Sequence, residues 1–252
     1  MIPGELRLFP VRGLPEIAPG AALGSLIARA LADSGSPVQS GDILVVTHKI
    51  VAKAEGALVD LATITPSVLA LEFARRWNKD ARHTEVVLRQ SVRIVRMDRG
   101  VIISETRHGF VCANAGVDAS NMMGGDMLCL LPEDPDRSAA RIASEVEQAT
   151  GFPIPVIVCD TFGRPWREGL TNVAIGVAGL APIQDYVGQL DSQGRELRVT
   201  ALAVADELAG AAELVMGKLD RTPAAIIRGY RYEPAPGGAR ALLRKPEMDM
   251  FR

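Results

Sequence analysis

Aromatic residues are scarce in this chain of 252 residues: six Phe, three Tyr and two Trp, 4% in all. Platforms that stack the bases of single-stranded nucleic acid are built from such rings, so the composition argues against that function. An excess of either charge is also missing. The 28 Lys+Arg stand against 30 Asp+Glu, a formal net charge of −2, which argues against broad binding to nucleic acid or to an anionic membrane. Cysteine is rare as well. Cys112, Cys129 and Cys159 lie in apolar runs, are odd in number and match no zinc-knuckle spacing, so they read as buried reduced thiols. His48, His83 and His108 have no ligand-like spacing, which argues against zinc. No apolar stretch approaches the ~20 residues that span a bilayer. The first residues lack the basic and then apolar regions of a signal peptide, so the expected setting is a reducing cytoplasm. There is no GxGxxG, no GxxxxGK[ST], and no Ser/His/Asp arrangement around Ser120.

What is present is an ordinary globular composition, 48% hydrophobic and 23% charged. Strand and helix signals alternate. LRLFPV reads as a strand. Leu23, Leu26, Ile27, Ala30 and Leu31 have helical spacing that ends near Gly35. After Gly41-Asp42 the β-branched run ILVVTHKIV reads as one strand. Thr65-Pro66 reads as the start of a helix to Ala81, and Arg99-Gly100 as the turn of a hairpin. Asp134-Pro135 opens a helix that Gly151 closes. PVIVCDT, VAIGVAG and PAAIIRG read as strands, with a helix from about Val199 to Met216 between the last two. From Glu233 onward the chain reads as a loose tail. The mixed order points to an α+β fold in one domain, residues 1–252, with room for two lobes.

Four polar clusters lie at the ends of apolar runs. The turn Val11-Arg12-Gly13-Leu14-Pro15 lets backbone N–H groups approach a ligand. In Thr47-His48-Lys49 and Lys53-Ala54-Glu55-Gly56, the two lysines share a face if the strand continues, which suits a polyphosphate or a lysine-protected strand edge. Asn114 to Asn121 sets the Asp118 carboxylate and the Asn114 and Asn121 amides among small residues, oxygen-rich chemistry suited to Mg²⁺ or Mn²⁺ with phosphate, or to an Asx turn capping a helix. Asp160-Thr161 ends a buried strand, followed by Arg164 and Arg167, which can hold anionic groups bidentately. Composition and spacing reach a metal-assisted enzyme acting on phosphate, and stop there.

The segments GLPEI, GDILVVTHKIVAKAEG, CANAGVDASN, VCDTFGRPWREG, GRELRVTALAVADELAGAAELVMG and PAAIIRG together resemble the coenzyme F420-0:L-glutamate ligase family, in order from about residue 5 to residue 230. NAGVDASN and DTFGRPWREG are its specific motifs. The resemblance implies a GTP-dependent ligase that joins L-glutamate to the deazaflavin coenzyme precursor through an acyl phosphate. It also implies an α+β fold of two intertwined parts in a homodimer, and the stand-alone form. It implies Mg²⁺ or Mn²⁺, with K⁺ as a further candidate ion. By position, Leu14, Pro15, Glu16, Ile17, His48, Lys49, Lys53 and Asn121 match nucleotide contacts, as does the loop Met216, Gly217, Lys218, Leu219, Asp220, Arg221 and Thr222. Asp118, Asp160 and Thr161 match metal ligands, and Asp118, Asp160 and Lys53 are the expected catalytic groups. One departure stands out: many members carry a metal-binding Glu after Met-Gly, where this chain has Lys218. The competing classes are a metal-dependent phosphohydrolase and a non-catalytic nucleotide-binding module.

Overall fold

The computed structural model describes residues 4–119 and 126–250, so Ser120, Asn121 and Phe251 lie outside the described residues. In chain order the elements begin with β1 (Arg7–Pro10), α1 (Leu23–Asp33), β2 (Ile43–Thr47), α2 (His48–Glu55), β3 (Leu58–Asp60), α3 (Val68–Trp77) and α4 (Ala81–Gln90). Then follow β4 (Ser91–Asp98), β5 (Val101–Thr106), β6 (Val111–Ala113), β7 (Met127–Cys129), α5 (Pro135–Thr150), β8 (Val156–Arg164) and β9 (Arg167–Ala178). The chain continues through β10 (Gln184–Asp185), β11 (Ala201–Leu202), α6 (Val204–Met216) and β12 (Ala224–Arg228) to two short 3-10 turns.

The central sheet has the order β1-β12-β2-β8-β9. Its neighbours are antiparallel except β2 and β8, which run parallel. These strands are apolar on both sides because helices cover both sides. Leu44, Val46, Val156 and Val158 pack with Leu23, Ile27 and Leu31 of α1 and Ile142 and Val146 of α5. Ile43, Val45 and Ile157, one residue out of step, pack with Leu208, Ala209 and Ala212 of α6, as a two-residue pleat requires. Helices α1 and α5 touch closely at Gly24, where a Cβ would lie 2.5 Å from the Ile142 carbonyl oxygen. A separate core of Leu61, Phe73, Val86, Val87, Ile102 and Leu128 joins α3, α4 and the small sheets. The fold is α+β, as expected.

Four local expectations are corrected. The run after Thr47 turns into α2 rather than continuing as a strand; the helix formers Ala52, Lys53, Ala54 and Glu55 follow the β-branched residues, and Gly56 ends the helix in the left-handed region. Lys49 and Lys53 therefore share a face by helical i,i+4 spacing. The single helix to Ala81 is two helices. Ser67, not Thr65, caps α3, Asn78 ends it with φ 51°, and Asp80 caps α4. The helix expected from Val199 starts at Val204, since Ala201–Leu202 pair with β10 instead. The tail is not loose: Gly237 bridges to Ala178, the Ala239 N–H donates to Asp136 Oδ1 at 2.8 Å, and Leu242 and Leu243 pack on the two faces of the sheet.

Candidate functional site

β2 stops at Thr47, opposite Cys159 of the longer parallel strand β8, so the polar residues that follow these two positions meet at one edge of the β2–β8 ladder. From β2 the chain enters α2. From β8 it continues through Asp160 and Thr161 into a hairpin with β9. His48 is buried, and its Nδ1 lies 3.1 Å from Asp160 Oδ1. The same carboxylate oxygen accepts the Thr161 N–H at 2.7 Å, so two donors set its orientation. His48 Nε2 is buried with no partner among the described residues.

One residue on, Lys49 pairs with Asp118 at 2.7 Å, and one helical turn later Lys53 pairs with Glu16 at 2.5 Å. Asp118 is held by a two-way backbone bridge to Cys129, and the turn carrying Glu16 is anchored where the Val11 N–H donates to the Ala224 carbonyl at 2.8 Å. Buried Ile17 and half-buried Leu14 seat that turn on the core, while Pro15 and Glu16 stay exposed. Burial pushes the Cys129 thiol up to about 12, Asp118 and Asp160 push the same way, and Lys49 and Lys53 oppose them. Cys129 itself bridges Asp118 through its backbone, and its Sγ lies 4.0 Å from the Lys49 carbonyl oxygen.

Thr161 belongs to the other face of β8. Successive strand residues point to opposite sides, and the partners bear this out. Asp160 turns to His48 of α2, whereas Thr161 Oγ1 donates to Asn172 Oδ1 at 2.7 Å and accepts from Lys218 Nζ at 2.6 Å. Lys218 also pairs with Glu213 of α6 at 2.6 Å. Glu213 in turn accepts the Asn172 N–H at 3.0 Å. Of the three residues matched to metal ligands, Asp118 faces Lys49, Asp160 faces His48, and Thr161 lies on the other face of β8 beside an ammonium. Among the described residues no three His, Cys, Asp or Glu side chains converge as a ready metal cage.

The loop after α6 starts with buried Met216, whose carbonyl accepts from the Thr222 hydroxyl, and turns at Gly217 with φ 62°. That closure projects Lys218 back toward Thr161 and leaves Leu219 and Arg221 exposed, Leu219 at 93%. Asp220 folds against Gly217, where its Oδ2 would clash with an added Cβ. Arg164 and Arg167 lie at the β8–β9 turn; Arg164 Nη2 donates to the Glu168 carbonyl at 2.8 Å and Arg167 is exposed. Asn121 lies outside the described residues. Two residues of the network escaped the sequence reading, Asn172 and Glu213. Their only local signal is a polar side chain on an otherwise apolar strand and helix face, and its meaning depends on β9 lying against α6.

The scaffold is α+β, and it brings carboxylates and ammonium groups together where β2 ends beside β8. Residues 13–229 match the family model described as F420-0:Gamma-glutamyl ligase, and the chain belongs to that family. It is 48% identical over 250 residues to the Coenzyme F420:L-glutamate ligase of Methanothermobacter thermautotrophicus, covering 98% of this chain and 99% of the relative. Identity to the protein of that name from Methanopyrus kandleri is 46% over 252 residues, 98% of each. The Methanocaldococcus jannaschii relative of the same name is 43% identical over 217 residues, 86% of each. Among the described residues no helix is long and apolar enough to cross a membrane.

Proposed function

We propose that this chain is a ligase that forms the amide bond between L-glutamate and the coenzyme F420 precursor, driven by GTP. The observation that carries this reading is that α2 presents His48 to Asp160 and Lys49 to Asp118, with Lys53 one turn further on, all five matched to the family's nucleotide and metal positions. A carboxylate does not condense with an amine at neutral pH, so it is activated first. The precursor's terminal carboxylate attacks the γ-phosphorus of GTP and GDP leaves. The glutamate amine then attacks the acyl phosphate and displaces phosphate. Lys49 and Lys53 hold phosphate oxygens when these displace Asp118 and Glu16 from the ammonium groups. His48 keeps the Asp160 carboxylate aimed.

Mg²⁺ is commonly bound by one or two carboxylates plus substrate phosphates, which suits a two-carboxylate set. Asp118 and Asp160 would hold Mg²⁺ or Mn²⁺, which neutralises charge on the transferred phosphoryl group. The working unit in this proposal is a homodimer. Exposed Trp166 and Leu170 on the β8–β9 hairpin support it, whereas Leu242 and Leu243 of the tail are covered by the chain itself. A monomer mass by light scattering at micromolar concentration removes the dimer. The ligase reading is tested by incubating the protein with GTP, Mn²⁺, L-glutamate and precursor. The expected result is a product heavier by one glutamyl unit in the mass spectrum and GDP release that requires glutamate. GDP release without glutamate marks a phosphohydrolase, and nucleotide binding without release marks a binding module.

A further inference from the structure

On the α6 side of β8 an ammonium group occupies a place prepared for a cation. Lys218 Nζ donates to Thr161 Oγ1 and to Glu213 Oε1, each at 2.6 Å. Both acceptors are set by other groups. The Thr161 proton goes to Asn172 Oδ1 at 2.7 Å, and Asn172 Nδ2 donates to Cys159 Sγ at 3.5 Å. The hydroxyl lone pairs are left facing Lys218. Glu213 Oε2 accepts the Asn172 N–H at 3.0 Å, which leaves Oε1 for the same point. Asn172 is buried and Thr161 and Glu213 are half-buried, so the two acceptors are anchored in the β9–α6 packing while the Lys218 side chain reaches them from the surface. Two fixed oxygens aimed at one positive charge are the donor chemistry of a hard cation. The pleat of β8 keeps this position apart from Asp160, which faces His48 on the other side.

We infer that Lys218 is a tethered cation: its ammonium takes the position that a second divalent ion would otherwise occupy between Thr161 and Glu213. This inference rests on the ligase reading for its purpose, since the charge there would face the nucleotide phosphates. The chain then needs a divalent ion only on the Asp118 and Asp160 side. A lysine supplies a compact point charge that cannot dissociate, at the cost of the geometry a metal imposes.

The test counts Mn²⁺ bound to the full chain without nucleotide, by the electron paramagnetic resonance signal of free Mn²⁺. The samples are wild type, Lys218→Met, and Lys218→Met combined with Glu213→Gln. Methionine keeps the length of the side chain and removes the charge, and thermal melts confirm that each variant is folded. Lys218→Met is expected to bind one more Mn²⁺ per chain than wild type, and the double variant to lose it. With GTP present, Lys218→Met is expected to bind the nucleotide about tenfold more weakly at low Mn²⁺, the loss of one charge-assisted contact, and to recover as Mn²⁺ rises. Equal Mn²⁺ counts in wild type and Lys218→Met, zero included, overturn the inference. A wild type that binds no GTP overturns the ligase reading instead, because the metal counts are taken without nucleotide.

Discussion

Replacing Asp160 by Asn removes one negative charge and almost nothing else. The amide oxygen can still accept from His48 Nδ1, now at 3.1 Å, and from the Thr161 N–H, now at 2.7 Å. β8 keeps its pairing with β2 and β9, which is a matter of backbone bonds. The fold should therefore hold, and a loss of 1 kcal/mol would lower Tm by about 2–4 °C in a chain of this size. The site loses far more. Two unit charges about 4 Å apart interact by about 4 kcal/mol at the effective dielectric of ~20 that suits protein sites. At 1.36 kcal/mol per factor of ten, kcat/KM for ligation should fall by about a thousandfold. The assay is glutamate-dependent GDP release across a Mn²⁺ series, with product read by mass spectrometry. Activity within about tenfold of wild type at saturating Mn²⁺, from a variant with the wild-type Tm, would refute the placement of Asp160 at the reacting phosphate.

Three further outcomes follow from other parts of the molecule. Arg228 holds the fully buried Asp42 in two bonds of 2.7 and 2.8 Å, and Arg228→Ala leaves that carboxylate buried without its cation. The expected cost is about 3 kcal/mol, a fall in Tm of roughly 6–12 °C by calorimetry, and a shift under about 2 °C contradicts it. Glu85 is held down at about 2 by the Ser67 hydroxyl and N–H, with Arg89 adding to it, against an ordinary 4.5. Its stabilising effect is present above pH 4.5 and is lost as the pH falls toward 2, so Glu85→Gln should flatten the fall of the urea midpoint over that range. Burial pushes the Cys112 and Cys129 thiols up to about 12 and Cys159 higher still. A thiol-reactive dye at pH 8 should label none of them in the native protein and all three in denaturant, and labelling of the folded chain at the denatured rate removes their burial.

Features written in neighbouring residues were legible from the sequence by itself. Asp134-Pro135 and Gly151 bound α5 because a cap needs only its own turn. The apolar run through Val158 into Asp160 announced a buried strand, although β8 does not end at the carboxylate but runs on to Arg164 in its hairpin with β9, and the motifs NAGVDASN and DTFGRPWREG carried the family. Asn78 and Asp80 held the signal that splits α3 from α4, although the apolar spacing masked it. Only the tertiary structure decided that β2 yields to α2 at His48, since β-branched residues favour a strand locally and helix packing under the sheet overrides them. Only the tertiary structure paired β2 with β8, which brought His48 to Asp160 across a long stretch of chain. The pleat of β8 then sent Asp160 and Thr161 to opposite faces, where α6 supplies Glu213 and its following loop supplies Lys218. Such partners are chosen by burial of the two sheet faces, a property of elements far apart in sequence that no local spacing records.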